Sequence, residues 1–423
     1  MFRLLENNID GKIYNAIKSL YTDTEAFVPI NNHITTDWFS VPSGVRQGDP
    51  LSPTLFSIFI NDLVETLKSL DIGVSIGQEN VCILLYADDV VPIAKSEGEL
   101  QSLLNSMEQW CTYWQMRVNN SKTNIMHIRN KRRKITDFTF KFDGKDLQKV
   151  NMYRYLGFRL DEHMDFDVYA EILSNAGSRA LGTIVSKFKS LKNITYETFT
   201  KLYNASVIPV IEYASEVWGF SKAPSIDKIQ NRALRYYLGV HRFCPIPAMY
   251  GDTGWLECKY RCYVNMLKYW NRLIKMSDNR LAKKVFLYDY ECSVNGNRNW
   301  CSEIECILDD IHMLNTFLEK NECCIDEAKK ELLINFENEW LEKCQSMPKL
   351  RTYVMFKSKL EKEQYLNVFM PRRNRSLLAQ LRFGILPLRI ETGRFKNVKD
   401  QQTGQFRRLR PEERLCEICN SVV

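Results

Sequence analysis

The chain has 423 residues, of which 45% are hydrophobic, 12% aromatic and 26% charged. This excludes a disordered or fibrous chain and leaves room for two or three domains with real cores. The formal net charge of +7 suits a polyanionic partner without requiring one.

Residues 11–22, GKIYNAIKSLYT, space Ile13, Ile17 and Leu20 as on one helix face. AFVPINNHITTDWFSVPS reads as a strand-like stretch. In GVRQGDPLSPTLFSIFINDLVETLKSL, Gly44, Gly48 and Pro50 mark a turn. An apolar helix follows it, with Ser52 as N-cap and Pro53 in the first turn. NVCILLYADDVVPIAK reads as strand, turn, strand, with Asp88 and Asp89 at the tip. Acids beside apolar runs are costly unless something pairs with them. The next helix runs from Glu97 to Trp114, with Leu100, Leu103, Leu104 and Met107 on one face.

VNNSKTNIMHI reads as a loop and then a strand. FTFKFDGKDLQKV reads as a hairpin turning at Asp143-Gly144. YRYLGFRLD reads as a short strand in which Gly157 permits a bulge or a close backbone approach. From about Asp165 to Met347, helical spacing of Trp, Tyr and Leu dominates, as in QNRALRYYLGV. QSMPKLRTY marks a boundary. Beyond it, Pro371–Arg414 holds twelve Lys/Arg against four Asp/Glu, and Arg129–Lys134 (RNKRRK) is a second basic run. Each run is either solvated surface or a track for a polyanion.

Thirteen cysteines lie without regular spacing, and no secretory leader is visible. No apolar run reaches the roughly 18 residues of a membrane span. The expectation is an intracellular chain, nuclear or cytoplasmic, with buried thiols. Cys416 and Cys419 have the C-x-x-C spacing of half a zinc site, with no His or Cys after them. Zinc is not expected unless His312 or Cys323 completes the set.

Acids at a hairpin tip can converge on a cation, and carboxylate-held divalent ions stabilise attacking and leaving oxygens in phosphoryl transfer. Mg²⁺ suits carboxylates and substrate phosphates. The pair Asp309-Asp310 in CILDDIHML is an internal control. Its helical spacing puts those acids on a wet face, so an Asp-Asp dipeptide alone carries little. In the loop before Ser52 the glycines allow backbone to pass close to a ligand. Arg46 and Gln47 offer hydrogen bonds, and the following helix directs its positive end to the same region. Lys122 in NNSKTNIM is by itself an ordinary loop lysine.

The order is Gly/Gln loop, Tyr-Ala-Asp-Asp hairpin, helix, Asn-x-x-Lys-Thr, then Tyr-Leu-Gly, over about 115 residues. It resembles the palm of reverse transcriptases of the non-LTR (LINE-like) retrotransposon class. GVRQGDPLSPTLFSIFINDL together with LLYADDVV is specific to that class. The resemblance continues through YRYLGFRLD into LLAQLRFGILPLRIETGRF and covers nearly the whole chain. It implies an α+β fold: a partial right-hand polymerase palm of antiparallel sheet plus helices, then a mainly helical thumb-like region. The corresponding segments are 1–164 for the palm, 165–347 for the thumb-like and connection region, and 348–423 for the basic segment.

The implied activity is RNA-directed DNA synthesis, with an RNA template, a DNA primer, deoxynucleoside triphosphates and Mg²⁺ (or Mn²⁺). Carried over by motif, Asp88 and Asp89 become the catalytic pair and metal ligands. Arg46, Gln47, Gly48 and Lys122 serve nucleotide and template, and Tyr86, Tyr155, Leu156 and Gly157 serve the primer. The family carries a third catalytic aspartate on a strand upstream of the Gly/Gln loop. Here the acids before that loop are Glu6, Asp10, Asp23, Glu25 and Asp37, none in such a strand. The expectation is a chain truncated at both ends, or clipped at Met1, that extends primers poorly or not at all by itself. The missing strand would leave palm strands with unpaired edges. Two alternatives stand beside this: a non-catalytic nucleic-acid-binding remnant, and a metal-dependent phosphohydrolase, which lacks a water-activating His or Glu near Asp88.

Overall fold

A computed structural model describes residues 1–31, 34–190, 194–221, 223–386, 397–399, 405–410 and 413. The chain divides into two compact units, Met1–Asn151 and Met152–Val423. Helices and short strands alternate in the first unit and helices dominate the second, an α+β composition.

The first unit opens with α1 (Phe2–Glu6) and α2 (Gly11–Tyr21). On α2 only Ile17 is buried, while Ile13 and Leu20 are exposed. The stretch read as a single strand is instead a folded-back ribbon of β1 (Glu25–Ala26), β2 (Pro29–Asn31), β3 (Ile34–Thr35) and β4 (Phe39–Ser40). β1 pairs with β4 and β2 with β3. The rings of Phe27 and Trp38 meet edge to face at 4.6 Å and hold the two arms together.

Next come α3 (Ser52–Lys68), the hairpin of β5 (Val74–Ile76) and β6 (Glu79–Val81), and the hairpin of β7 (Ile83–Tyr86) and β8 (Asp89–Pro92). α4 (Glu97–Tyr113) starts at Ser96, whose hydroxyl accepts the Glu99 N–H, as a cap should. Leu103, Leu104 and Met107 of the expected apolar face are buried, and Trp110 and Cys111 extend it. They form one core with Ile60, Leu63 and Leu67 of α3. Asp62 fastens this pair of helices. Its carboxylate accepts the indole N–H groups of Trp110 (2.9 Å) and Trp114 (3.0 Å), and Arg3 lies 3.3 Å away.

The unit closes with β9 (Asn124–Ile125), β10 (Lys141–Phe142), β11 (Lys145–Asp146) and β12 (Gln148–Lys149). β10 and β11 form the expected hairpin, turned by Asp143 and Gly144 at φ 52° and 67°. Two positive φ values in a two-residue loop match strand twist, which is why Asp-Gly serves there. β12 runs parallel to β9. Among the described residues every sheet has two strands, so antiparallel pairing is present only as separate strand pairs.

The second unit begins with the hairpin of β13 (Met152–Tyr155) and β14 (Phe158–Asp161). The helices are α5 (Phe166–Ser190), α6 (Tyr196–Ser206), α7 (Ile208–Ile211), α8 (Ser215–Trp218), α9 (Pro224–Leu238), α10 (Ile246–Thr253) and α11 (Cys258–Lys275). They continue as α12 (Leu281–Val294), α13 (Trp300–Asp310), α14 (Leu314–Leu318), α15 (Ile325–Ser346), α16 (Tyr353–Phe356) and α17 (Arg372–Arg382). β15 (Asn397–Lys399) pairs with β16 (Phe406–Arg408). One core runs through the helices, with Trp218, Trp270 and Trp340 fully buried. On α13, Ile307 and Leu308 are buried and Asp309 and Asp310 exposed, as the control reading expects.

The basic segment after residue 348 is partly internal. Arg375 of α17 is buried, its Nε donates to the Tyr237 carbonyl at 2.9 Å, and its guanidinium lies 4.1 Å from the Tyr237 ring centre. Arg382 forks onto the buried Asp252 carboxylate at 2.7 and 2.9 Å. Burial pushes the Asp252 carboxyl up, while Arg382 and the hydroxyls of Tyr365 and Tyr353 oppose that shift. The eleven described cysteines are free thiols, eight of them buried.

Candidate active site

β7 and β8 pair in register as Ile83 with Pro92, Leu84 with Val91, Leu85 with Val90, and Tyr86 with Asp89. Ala87 and Asp88 are thus the two loop residues of a tight hairpin. Ala87 takes φ 51°, which is unusual for a residue with a Cβ. Exposure rises along the hairpin. Cys82 and Ile83 are buried, Leu84 and Leu85 half-buried, and Tyr86 is 62% exposed. Asp88 and Asp89 are both exposed. Water therefore solvates the acids at the tip, and the burial cost anticipated from their apolar flanks does not arise.

The Gly/Gln loop leads into α3 differently from the expected cap. Ser52 is the first helical residue, and its hydroxyl donates to the Arg46 carbonyl at 2.6 Å. The Asp49 side chain takes the Leu51 N–H at 2.9 Å instead. Gly48 sits at φ 87°, a value that favours glycine. The Arg46 guanidinium donates to the Leu20 carbonyl at the end of α2 and lies 5.6 Å from the Tyr21 ring centre. It satisfies a helix C-terminus, the end that attracts cations. Gln47 is exposed.

Lys122 is exposed, in a turn where Asn119 accepts both the N–H and the hydroxyl of Ser121. The hairpin thus gathers Tyr86, Asp88 and Asp89, and the loop gathers Arg46, Gln47 and Gly48. Among the described residues no hydrogen bond or ion pair joins these two groups to each other or to Lys122.

Tyr155, Leu156 and Gly157 belong to the second unit. Gly157 is not inside a strand. Leu156 and Gly157, at φ 49° and 84°, are the loop of the β13–β14 hairpin. The close approach expected at Gly157 is real. A Cβ there would lie 3.0 Å from the Tyr213 hydroxyl, which donates to the Leu156 carbonyl at 2.6 Å. Tyr213 and Asp62 are both missed by sequence reasoning, since their partners are distant along the chain.

Among the described residues no group of three or more His, Cys, Asp or Glu is placed to hold a metal. His312 is exposed and Cys323 is buried, and Cys416 and Cys419 lie outside the described residues. No described helix is long and apolar enough to cross a membrane.

Residues 4–160 match the family model described as reverse transcriptase (RNA-dependent DNA polymerase). The chain is 23% identical to the RNA-directed DNA polymerase from mobile element jockey of Drosophila melanogaster, over 52% of this chain and 25% of that protein. It is 25% identical to the jockey polymerase of Drosophila funebris, over 52% and 24%. It is 30% identical to the retrovirus-related Pol polyprotein from type-1 retrotransposable element R2 of Popillia japonica, over 60% and 42%. The chain spans about a quarter of the jockey proteins it matches. The hairpin with its two exposed acids lies inside the matched segment. Residues 4–160 accordingly resemble a reverse transcriptase domain, and the chain resembles the RNA-directed DNA polymerases of non-LTR elements.

Proposed function

We propose that this chain carries the acid-bearing half of an RNA-directed DNA polymerase site. It would act on an RNA template, a DNA primer and deoxynucleoside triphosphates. In this reading residues 1–164 serve as a partial palm, 165–347 as a thumb-like region and 348–423 as a basic extension. The observation that carries it is the β7–β8 tip, where Asp88 and Asp89 stand exposed beside an exposed Tyr86. A tip of that shape reaches into a bound strand, and the carboxylates meet the reacting phosphate.

The donor set limits the metal chemistry. Two neighbouring carboxylates suit one Mg²⁺ (or Mn²⁺) that shares its shell with substrate phosphates and water. They do not make a two-ion centre by themselves. The bound ion would supply charge stabilisation. The chain's own groups have plainer tasks. Tyr86 lies against the primer end, and Gln47 with Gly48 lines the nucleotide and template. Arg46, held by α2, positions that loop. Lys122 neutralises the triphosphate. Tyr155, Leu156 and Gly157 support the primer from the second unit.

Primer extension on an RNA template, with Mg²⁺ or Mn²⁺ and Asp88→Ala as control, tests this. The expected outcome is weak extension that falls by roughly two orders of magnitude in the variant. Salt-sensitive binding of primer–template stays intact in both proteins. Extension unchanged by Asp88→Ala overturns the assignment of the acids. Absence of primer–template binding overturns the nucleic-acid reading.

A further inference from the structure

The second unit holds an open groove of about 640 Å³ between α5, α9 and α17. Its walls carry four arginines: Arg232 and Arg235 from α9, and Arg372 and Arg373 from α17. No carboxylate lines it. Among the described residues none of the four makes an ion pair, although the chain holds 51 acidic residues. Like charges placed together in this way oppose folding unless a counter-charge arrives.

The groove is built rather than incidental. Its floor is the junction of α9 and α17, where the Ser376 hydroxyl donates to the Gly239 carbonyl at 2.7 Å. A Cβ on Gly239 would come within 2.8 Å of Ser376, so only glycine permits this approach. Arg375, one residue along, locks α17 in place from the buried side. Arg372 is held by the Tyr236 ring, 4.7 Å from its centre, and by the Tyr236 carbonyl at 3.3 Å. Arg235 also lines the groove, and its Nε is buried with no acceptor in the protein. The exposed Arg373, and the donors of exposed Arg232 other than the one given to the Ser178 hydroxyl at 2.8 Å, are available to fork onto an anion.

The geometry points to a binding site for the phosphodiester backbone of a nucleic-acid strand, carried by the second unit and separate from the Asp88–Asp89 tip. Guanidinium forks pair with phosphate oxygens in two-pronged hydrogen bonds. Several of them along an open groove suit a repeating polyanion better than a single phosphate. The inference rests on the proposed nucleic-acid reading and names where the strand lies. Arginine–phosphate contacts are indifferent to the sugar, so RNA and DNA strands should respond alike.

The test uses the full chain and fluorescein-labelled single-stranded RNA and DNA of one sequence, titrated over a range of salt. Arg232→Gln/Arg373→Gln should bind roughly tenfold or more weakly. Its slope of log Kd against log salt should be shallower by about 1.4, about 0.7 per lost phosphate contact on a single strand. Arg232→Gln alone keeps the test valid if the double variant folds poorly, and should lower the slope by about 0.7. Lys201→Gln, at a side chain 75% exposed on α6, is the control for loss of bulk charge and should leave the slope in place. Wild-type binding with an unchanged slope in the arginine variants overturns the groove and leaves the nucleic-acid reading standing. No wild-type binding overturns that reading itself. Displacement of RNA by poly-glutamate as readily as by unlabelled RNA, or a loss confined to RNA, overturns the phosphodiester assignment.

Discussion

Asp62 does more for the first unit than its place in the FINDL stretch suggests. One carboxylate satisfies two indole N–H groups and faces Arg3. Asp62→Ala should therefore cost about 1–3 kcal/mol, because both indoles lose their acceptor near the core. Thermal unfolding followed by tryptophan fluorescence checks this, and Asp62→Asn should recover part of the loss. Gly157 is constrained twice, by φ 84° and by the Tyr213 hydroxyl. Gly157→Ala should destabilise the second unit by about 1–2 kcal/mol, read as a shift in urea midpoint. The thiols divide by environment. Burial pushes Cys244, Cys262 and Cys344 up to about 12, so little thiolate exists at pH 8. Among the described cysteines, alkylation of the native protein at pH 8 should label exposed Cys324 first and trail at Cys306. Burial and neighbouring acids raise the Cys306 thiol. Cys244, Cys262 and Cys344 should react only after unfolding, which mass spectrometry of tryptic peptides would show.

The elements most legible in the sequence were those whose pattern is local. α4 follows from its apolar spacing, and the β10–β11 hairpin from Asp143-Gly144. The Tyr86–Asp89 tip is equally local, since a tight turn between two apolar runs needs no distant partner. The ribbon from Glu25 to Ser40 was misread because both of its arms carry exposed apolar residues, which leaves no alternating buried face to read. The N-cap of α3 was misread because Leu51 holds the cap position without a side-chain bond, while the Ser52 hydroxyl turns back to the Arg46 carbonyl. The arginine groove was illegible for another reason. Arg232 and Arg235 stand three apart in QNRALRYYLGV, but Arg372 and Arg373 join them from about 140 residues away. α17 itself depends on that contact. Arg375→Ala should leave the Tyr237 carbonyl without its donor, and limited proteolysis should then cut at α17 first.

At the scale of the whole chain, a count of basic residues overstates the charge offered to a polyanion. Arg375 and Arg382 from the basic segment are committed inside the second unit, to Tyr237 and to Asp252. The cations that remain outward on α17 are Arg372 and Arg373. The two units therefore invite separate measurements. Asp88→Ala acts on extension and should leave strand binding in place. Arg232→Gln and Arg373→Gln act on strand binding and salt slope. If the two sets of variants shift the same observable in the same proportion, the division of roles between the units is wrong.

The β7–β8 hairpin has four residue pairs and, among the described residues, no third strand. A two-stranded hairpin in water is only marginally stable alone. Its amides should therefore exchange with solvent hydrogen far sooner than those of the 25-residue α5. The base of the hairpin is held by Cys82, Ile83 and Leu85 against the α3–α4 core, which leaves the tip that carries Asp88 and Asp89 as its least supported part. On the proposed reading, part of the contact energy with a bound strand would go into fixing the tip. Added primer–template should register there first as slowed exchange, before any product is made.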